Sequence, residues 1–135
     1  MTTNDGNWWQ SRWRHVRLAV DSPDVEISPG VHARIAAMTG QIMVVHIRMS
    51  AGAAQEDSIH EGETVISILD GGATIGIGDE EVKLAANEVA VIPAGERYSL
   101  VAGDAGCLRI DVFSPPNSEL AEAAFHEEHA NHGFE

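Results

Sequence analysis

Between Val31 and Phe113 no stretch carries the 3.6-residue period of an amphipathic helix; short runs rich in Val, Ile and Met recur instead, separated by glycines and acidic residues. Such runs bury apolar surface by pairing with one another as antiparallel strands. Strands are expected near 31–37, 41–49, 64–69, 73–77, 81–84, 88–92, 97–101 and 107–113. In "ILDGGATIGIGDEEVKL" the triplets Asp70-Gly71-Gly72 and Gly78-Asp79-Glu80 are expected to turn two successive hairpins, because glycine supplies positive φ and Asp caps the turn. About eight short strands without an intervening helix point to an all-β sandwich or closed barrel, which limits unpaired strand edges.

After Pro115-Pro116 the pattern changes. "NSELAEAAFHEEHANHG" consists of good helix formers, with Ser118 as the expected N-cap and Gly133 as the stop, so one C-terminal helix should pack on the barrel. The expected layout is an N-terminal arm over 1–30, a barrel over 31–116 and a helix with tail over 117–135. At 135 residues one domain with a real core is expected. The arm holds all three tryptophans, Trp8, Trp9 and Trp13, a large apolar payload for the barrel or a dimer partner.

The formal net charge of −13 repels phosphate backbones and anionic bilayers, so nucleic acid and membranes are not expected partners. Arg12, Arg14 and Arg17 form the densest positive cluster, read as a solvated face. Cys107 is the single cysteine and lies in an apolar run, which makes it a core residue and gives no support for secretion. "MTTNDGNWWQSRW" lacks the apolar stretch of a signal peptide, and a cytoplasmic location is expected.

Two blocks carry a more specific pattern. "GAAQEDSIHEGETVISILDGG" resembles the first cupin motif and "NEVAVIPAGERY" the second. In the first, Gly52 and Gly71 fall on the family's glycines, while Ser58, His60 and Thr64 stand where the family has His, His and Glu. In the second, Pro93 and Gly95 match, Asn87 replaces a glycine, and Tyr98 replaces a histidine. "RIDVFSPP" is similar to the closing strand of small single-domain cupins of the pectin-degradation and polyketide-cyclase types. The resemblance implies a jelly-roll barrel, often homodimeric, with a pocket between its sheets onto which the ligand positions point.

The glycines and proline set turns that any such barrel needs, so they say nothing about chemistry. Of the four ligand positions only His60 remains a good donor for iron, zinc, nickel or manganese; a divalent transition metal would need carboxylates from Glu56, Asp57 or Glu96. The expectation is therefore a pocket without a metal cofactor, in which a small organic molecule is held by hydrogen bonds. His60 and Tyr98 are the candidate catalytic pair, a base and a phenolic acid suited to isomerisation, cyclisation or elimination, as the resemblance to metal-free cupins implies. Ser58 and Thr64 are candidate ligand contacts.

The strand "QIMVVHIRMS" puts Met43, Val45, Ile47 and Met49 on one face and His46 and Arg48 on the other. The preferred reading turns the methionine face to the pocket, making Met43, Val45 and Ile47 substrate contacts; the other face would bring His46 and Arg48 to a carboxylate. Asp111 is a further candidate pocket residue. His126, His129 and His132 are spread over nearly two helical turns and are read as exposed rather than metal-binding. The function expected is an isomerase, cyclase or lyase acting on a carbonyl-rich or aromatic, polyketide-like substrate. The alternatives are a metal-dependent oxygenase or sugar-acid ring-opening enzyme, and a non-catalytic sensor.

Overall fold

A computed structural model of the chain describes residues 15–131, with side chains described as far as Ala124. The tryptophans, Arg12, Arg14, Gly133 and the side chains of the three C-terminal histidines lie outside the described residues. A short helix, α1 (Leu18–Asp21), precedes eight antiparallel strands: β1 (Val25–Ser28), β2 (Val31–Met38), β3 (Met43–Met49), β4 (Ala54–Ser58), β5 (Glu63–Ile77), β6 (Glu80–Ala85), β7 (Val89–Ile92) and β8 (Tyr98–Ser114). A second helix, α2 (Ser118–Asn131), closes the described chain. The architecture is all-β with a C-terminal helix, as the strand pattern implied, and is the jelly roll that the resemblance implied.

The strands run in the order β1-β2-β3-β8-β5-β6, with β4 added to β8 and β7 added to β5. Two long strands organise this sheet. The 107–113 half of β8 pairs with β3, whereas its Tyr98–Val101 end pairs with β4. Likewise β5 pairs with β7 through 64–67 and with β6 through 72–77. Each long strand thus changes partner halfway, which folds the sheet over a single core.

This corrects the expected turn at Asp70-Gly71-Gly72, which is no hairpin. The chain continues as strand, and the β5–β8 register slips on either side of Gly71. Gly71 has φ +71 and lies so close to Gly106, itself at φ +77, that a Cβ would stand 2.1 Å from the Gly106 carbonyl oxygen. The glycines therefore serve a bulge that bends two paired strands together. The Gly78-Asp79 turn is a true two-residue hairpin, joining Ile77 to its partner Glu80 with Gly78 at φ +59. Two strands fell outside the expected set: β1 within the segment read as an arm, and β4, whose polar sequence AQEDS lacks an apolar alternation.

The inner face of β3 is Met43, Val45, Ile47 and Met49, all buried, while Arg48 on the opposite face is exposed. These side chains join Ile66, Ile68, Leu100 and Phe113 in the core. Leu120 and Ala124 of α2 are buried against it. The cap of α2 is Asn117, whose Oδ1 accepts from the Leu120 amide at 3.1 Å, one residue before the expected Ser118.

Candidate active site

In β8 the alternation of side chains turns Cys107, Arg109, Asp111 and Phe113 to the same, inner face. Arg109 and Asp111 are both 0% exposed. Such charges are tolerable in a core only when paired and fully hydrogen-bonded. Arg109 Nε donates to Asp111 Oδ1 at 2.9 Å and Nη2 to Oδ2 at 3.1 Å, a two-pronged pair, while Nη1 reaches Met49 Sδ at 3.1 Å. Burial works against the guanidinium charge, but the Asp111 carboxylate outweighs it and holds the Arg109 pKa above its ordinary value. Burial also pushes the neighbouring Cys107 thiol up, which keeps it a neutral core group.

The same guanidinium reaches outward. Arg109 Nη2 also donates to Gln55 Oε1 on β4, and Gln55 Nε2 donates to Ser58 Oγ at 3.1 Å. Ser58 is the register partner of Tyr98 across the β4–β8 ladder, so the two hydroxyl-bearing side chains project to one face. Together they line a cavity of about 550 Å³ whose walls come from β1, β4, the two ends of β8, Ile47 of β3 and the first turns of α2. The volume suits a small organic molecule.

Tyr98 is buried in this wall, and its phenol is pushed up to about 12, first by burial and then by the Asp111 carboxylate. Arg109 and the nearby Thr64 hydroxyl pull it partly back. Thr64 Oγ1 itself is buried without a well-formed hydrogen bond. At neutral pH Tyr98 is thus a neutral, buried hydroxyl near Thr64, Arg109 and Asp111. At the rim stand Glu26, Glu56, Asp57 and Glu119, and no Lys, Arg or His lines the cavity among the described residues. Asp57, at φ +60, is partly offset by Arg97 at 3.2 Å on the surface.

The residues singled out from the sequence separate into two groups. Tyr98, Ser58 and Ile47 line the cavity, as do Glu56 and Asp57, whereas Glu96 is exposed elsewhere. His60 is buried in the β4–β5 loop, outside the cavity wall. Its Nε2 lies 2.7 Å from the Pro115 carbonyl oxygen, which makes that nitrogen the protonated donor, and its ring meets Phe113 edge-on at 5.1 Å. Met43, Val45 and Thr64 pack in the core behind the wall, and Asp111 lies beneath it with Arg109.

Sequence reasoning missed Arg109, Gln55 and the wall residues of β1 and α2. The "RID" step held the one available signal, opposite charges two apart on a strand and therefore on one face. Nothing local marked Gln55, which acquires its role only when β4 docks on β8.

The positions that hold a metal in the resembling motifs do not suit one here. Ser58 accepts from Gln55, His60 Nε2 is committed to a carbonyl, Tyr98 stays protonated, and the buried carboxylate of Asp111 is already neutralised by Arg109. A divalent ion needs anionic or imidazole donors converging on one point. Among the described residues no three His, Cys, Asp or Glu side chains do so.

Comparison with known proteins agrees with this architecture. A profile described as "Cupin domain" matches residues 45–113. The chain belongs to the cupin domain family. Among solved structures, this cupin is similar to KdgF from Halomonas sp., at 24% identity and a TM-score of 0.67, over 72% of this chain and 91% of that one. It is also similar to an RmlC-like cupin from Shewanella frigidimarina NCIMB 400, at 19% identity and a TM-score of 0.71, covering 80% and 96%. An oxalate decarboxylase of Bacillus subtilis matches at 20% identity and a TM-score of 0.65, over 73% of this chain and 29% of that one. At these identities the likeness speaks for the fold alone. No curated protein matches the sequence. No helix among the described residues is long and apolar enough to cross a membrane.

Proposed function

We propose that this cupin binds a small, carbonyl-bearing and partly aromatic molecule in the cavity beneath α2 and catalyses a proton-transfer reaction on it, an isomerisation, cyclisation or elimination, without a metal. The observation that carries the reading is the neutral Tyr98 phenol set beside Ser58 in an otherwise mixed apolar wall. A phenol in that setting polarises a carbonyl and stabilises the enol or enolate formed from it, because its field acts in a poorly solvated site. Phe113, Ile47 and Leu120 supply the apolar contact for an aromatic body.

His60 lies outside the cavity wall, so its part is positional, with Nε2 donating to the Pro115 carbonyl oxygen. The same bond anchors the exit of β8 to the β4–β5 loop. The metal-dependent alternative gains nothing from the donor set described above. Outward-facing Val82, Val89 and Val91, all more than half exposed, support a homodimer, which sedimentation would test.

The test is a thermal-shift screen of aromatic ketones, quinones and their carboxylated counterparts, followed by turnover assays on whichever compounds stabilise the protein. Tyr98→Phe should keep affinity within a few-fold and lose turnover by ~10²-fold or more. Wild-type turnover in Tyr98→Phe, or binding that requires added metal, would overturn the proposal.

A further inference from the structure

The geometry points to a relay that shapes what the cavity offers a ligand: the buried Arg109–Asp111 pair, acting through Gln55, fills a lone pair of Ser58 Oγ and leaves its hydroxyl proton to be donated. That proton is a donor in the cavity for a carbonyl oxygen of a neutral or cationic compound, not a carboxylate. This rests on the proposal that the cavity binds a carbonyl compound.

The direction of each bond follows from donor chemistry. A guanidinium has only donors, so the Gln55 atom facing Arg109 has to be the amide oxygen; an NH₂ there would set donor against donor. The Gln55 NH₂ then faces Ser58 and fills a lone pair of Oγ. Ser58 has one hydroxyl proton left, it has no acceptor among the described side chains, and the residue lines the cavity. Its register partner Tyr98 lines the same cavity from the adjoining strand.

An O–H donor complements a lone pair of a carbonyl oxygen. The charge around it selects among oxygens. Among the described residues, Glu26, Glu56, Asp57 and Glu119 stand at the rim with no basic residue in the wall, and the buried Arg109 is already neutralised by Asp111. An incoming carboxylate meets repulsion that a ketone escapes and a cationic tail relieves. Gln55 and Arg109 are therefore positioning residues, and Ser58 is the ligand contact they orient.

Gln55→Glu tests the relay in a way that simple disruption does not. Glutamate still accepts from Arg109, but its second oxygen accepts from Ser58, turning the hydroxyl proton away from the ligand. Three para-substituted acetophenones are used: 4′-tert-butylacetophenone, its cationic isostere the 4-acetylphenyl trimethylammonium ion, and 4-acetylbenzoate, each ¹³C-labelled at the ketone. Calorimetry gives affinity, and the ketone ¹³C shift reports hydrogen bonding to the oxygen.

The neutral and cationic ketones should bind at least tenfold tighter than the acetylbenzoate at low salt, with the gap narrowing as salt screens the exposed rim. With the uncharged ketone, Ser58→Ala and Gln55→Glu should each weaken binding about fivefold. Each should move the ¹³C signal towards that of the free ketone, and the double variant should cost no more than either alone. Unchanged affinity and ¹³C shift in both variants would overturn the relay while leaving the cavity a binding site. Tightest binding by acetylbenzoate would overturn the charge selection. If none of the three binds the wild-type protein, the carbonyl-binding reading of the cavity falls and the relay's role falls with it.

Discussion

Tyr98 is the single tyrosine of the chain, so its ionisation is directly readable in the ultraviolet. Its folded pKa of about 12 lies above the ordinary 10.0, which means the folded state holds the phenolic proton more tightly than the unfolded chain. The resulting stability is fully present below pH 10 and is lost as the pH rises through about 12. Phenolate absorbance should appear near 12 in the folded protein and near 10 in denaturant; one common midpoint would contradict the burial of the hydroxyl. The loss of stability over that range should be absent in Tyr98→Phe. Arg109 and Asp111 make a second case at this scale. Asp111→Ala strands a buried guanidinium and should cost about 3–5 kcal/mol in urea denaturation. Replacing both partners, Arg109→Met with Asp111→Leu, should restore most of that loss, since apolar groups of similar volume leave no charge to solvate. If the double variant is no better than Asp111→Ala, the pair's cost lies in packing and not in charge.

At the level of elements, the helix over the cavity begins where a side chain caps it. Because Asn117 Oδ1 takes the Leu120 amide, Asn117→Ala should cost ~1 kcal/mol while Ser118→Ala stays within ~0.5 kcal/mol, read from chemical denaturation midpoints. The reverse ranking would place the cap on Ser118. The sequence offered Asn and Ser side by side, and both are good caps; only the approach angle of the chain after Pro116 selects between them. The strands tell a related story. Apolar alternation located β2, β3, β6 and β7 closely because each is short and does not change partners along its length. It split β5 and β8 in two because a bulge and a turn share the same glycine signature. What separates them is whether the residues beyond the glycine pair back on their own strand or, as at Gly71, onto a different one. β4 escaped notice because its burial is one-sided and polar, with Gln55 and Ser58 serving Arg109 and the cavity instead of an apolar layer.

For the molecule as a whole, the buried carboxylate of Asp111 is taken up by Arg109, and that shapes how the barrel should respond to metals. Manganese, iron, nickel or zinc at saturating concentration should leave the melting temperature unchanged, and a chelator should do the same. A true site occupied at 100 times its Kd would add about 2.7 kcal/mol, a shift that scanning calorimetry resolves. Stabilisation of that size by one metal would show carboxylates rearranging onto His60. The acidic rim belongs to this scale too, since Glu26, Glu56 and Glu119 come from β1, β4 and α2, three elements distant in sequence.

By itself the sequence determined the class of fold, the end of the barrel at Pro115-Pro116 and the replacement of the family's metal donors. The first two follow from local facts, side-chain period and turn chemistry; the third follows from the resemblance to the cupin motifs. It also brought out Tyr98, because that residue stands at a motif position. The tertiary structure alone decided that Tyr98 shares a cavity with Ser58, that His60 is tied to the Pro115 carbonyl, and that Arg109 turns inward to govern Gln55. Those outcomes depend on strand register and on which strand each half of β5 and β8 pairs with. They are fixed by contacts across the chain that no window of neighbouring residues encodes.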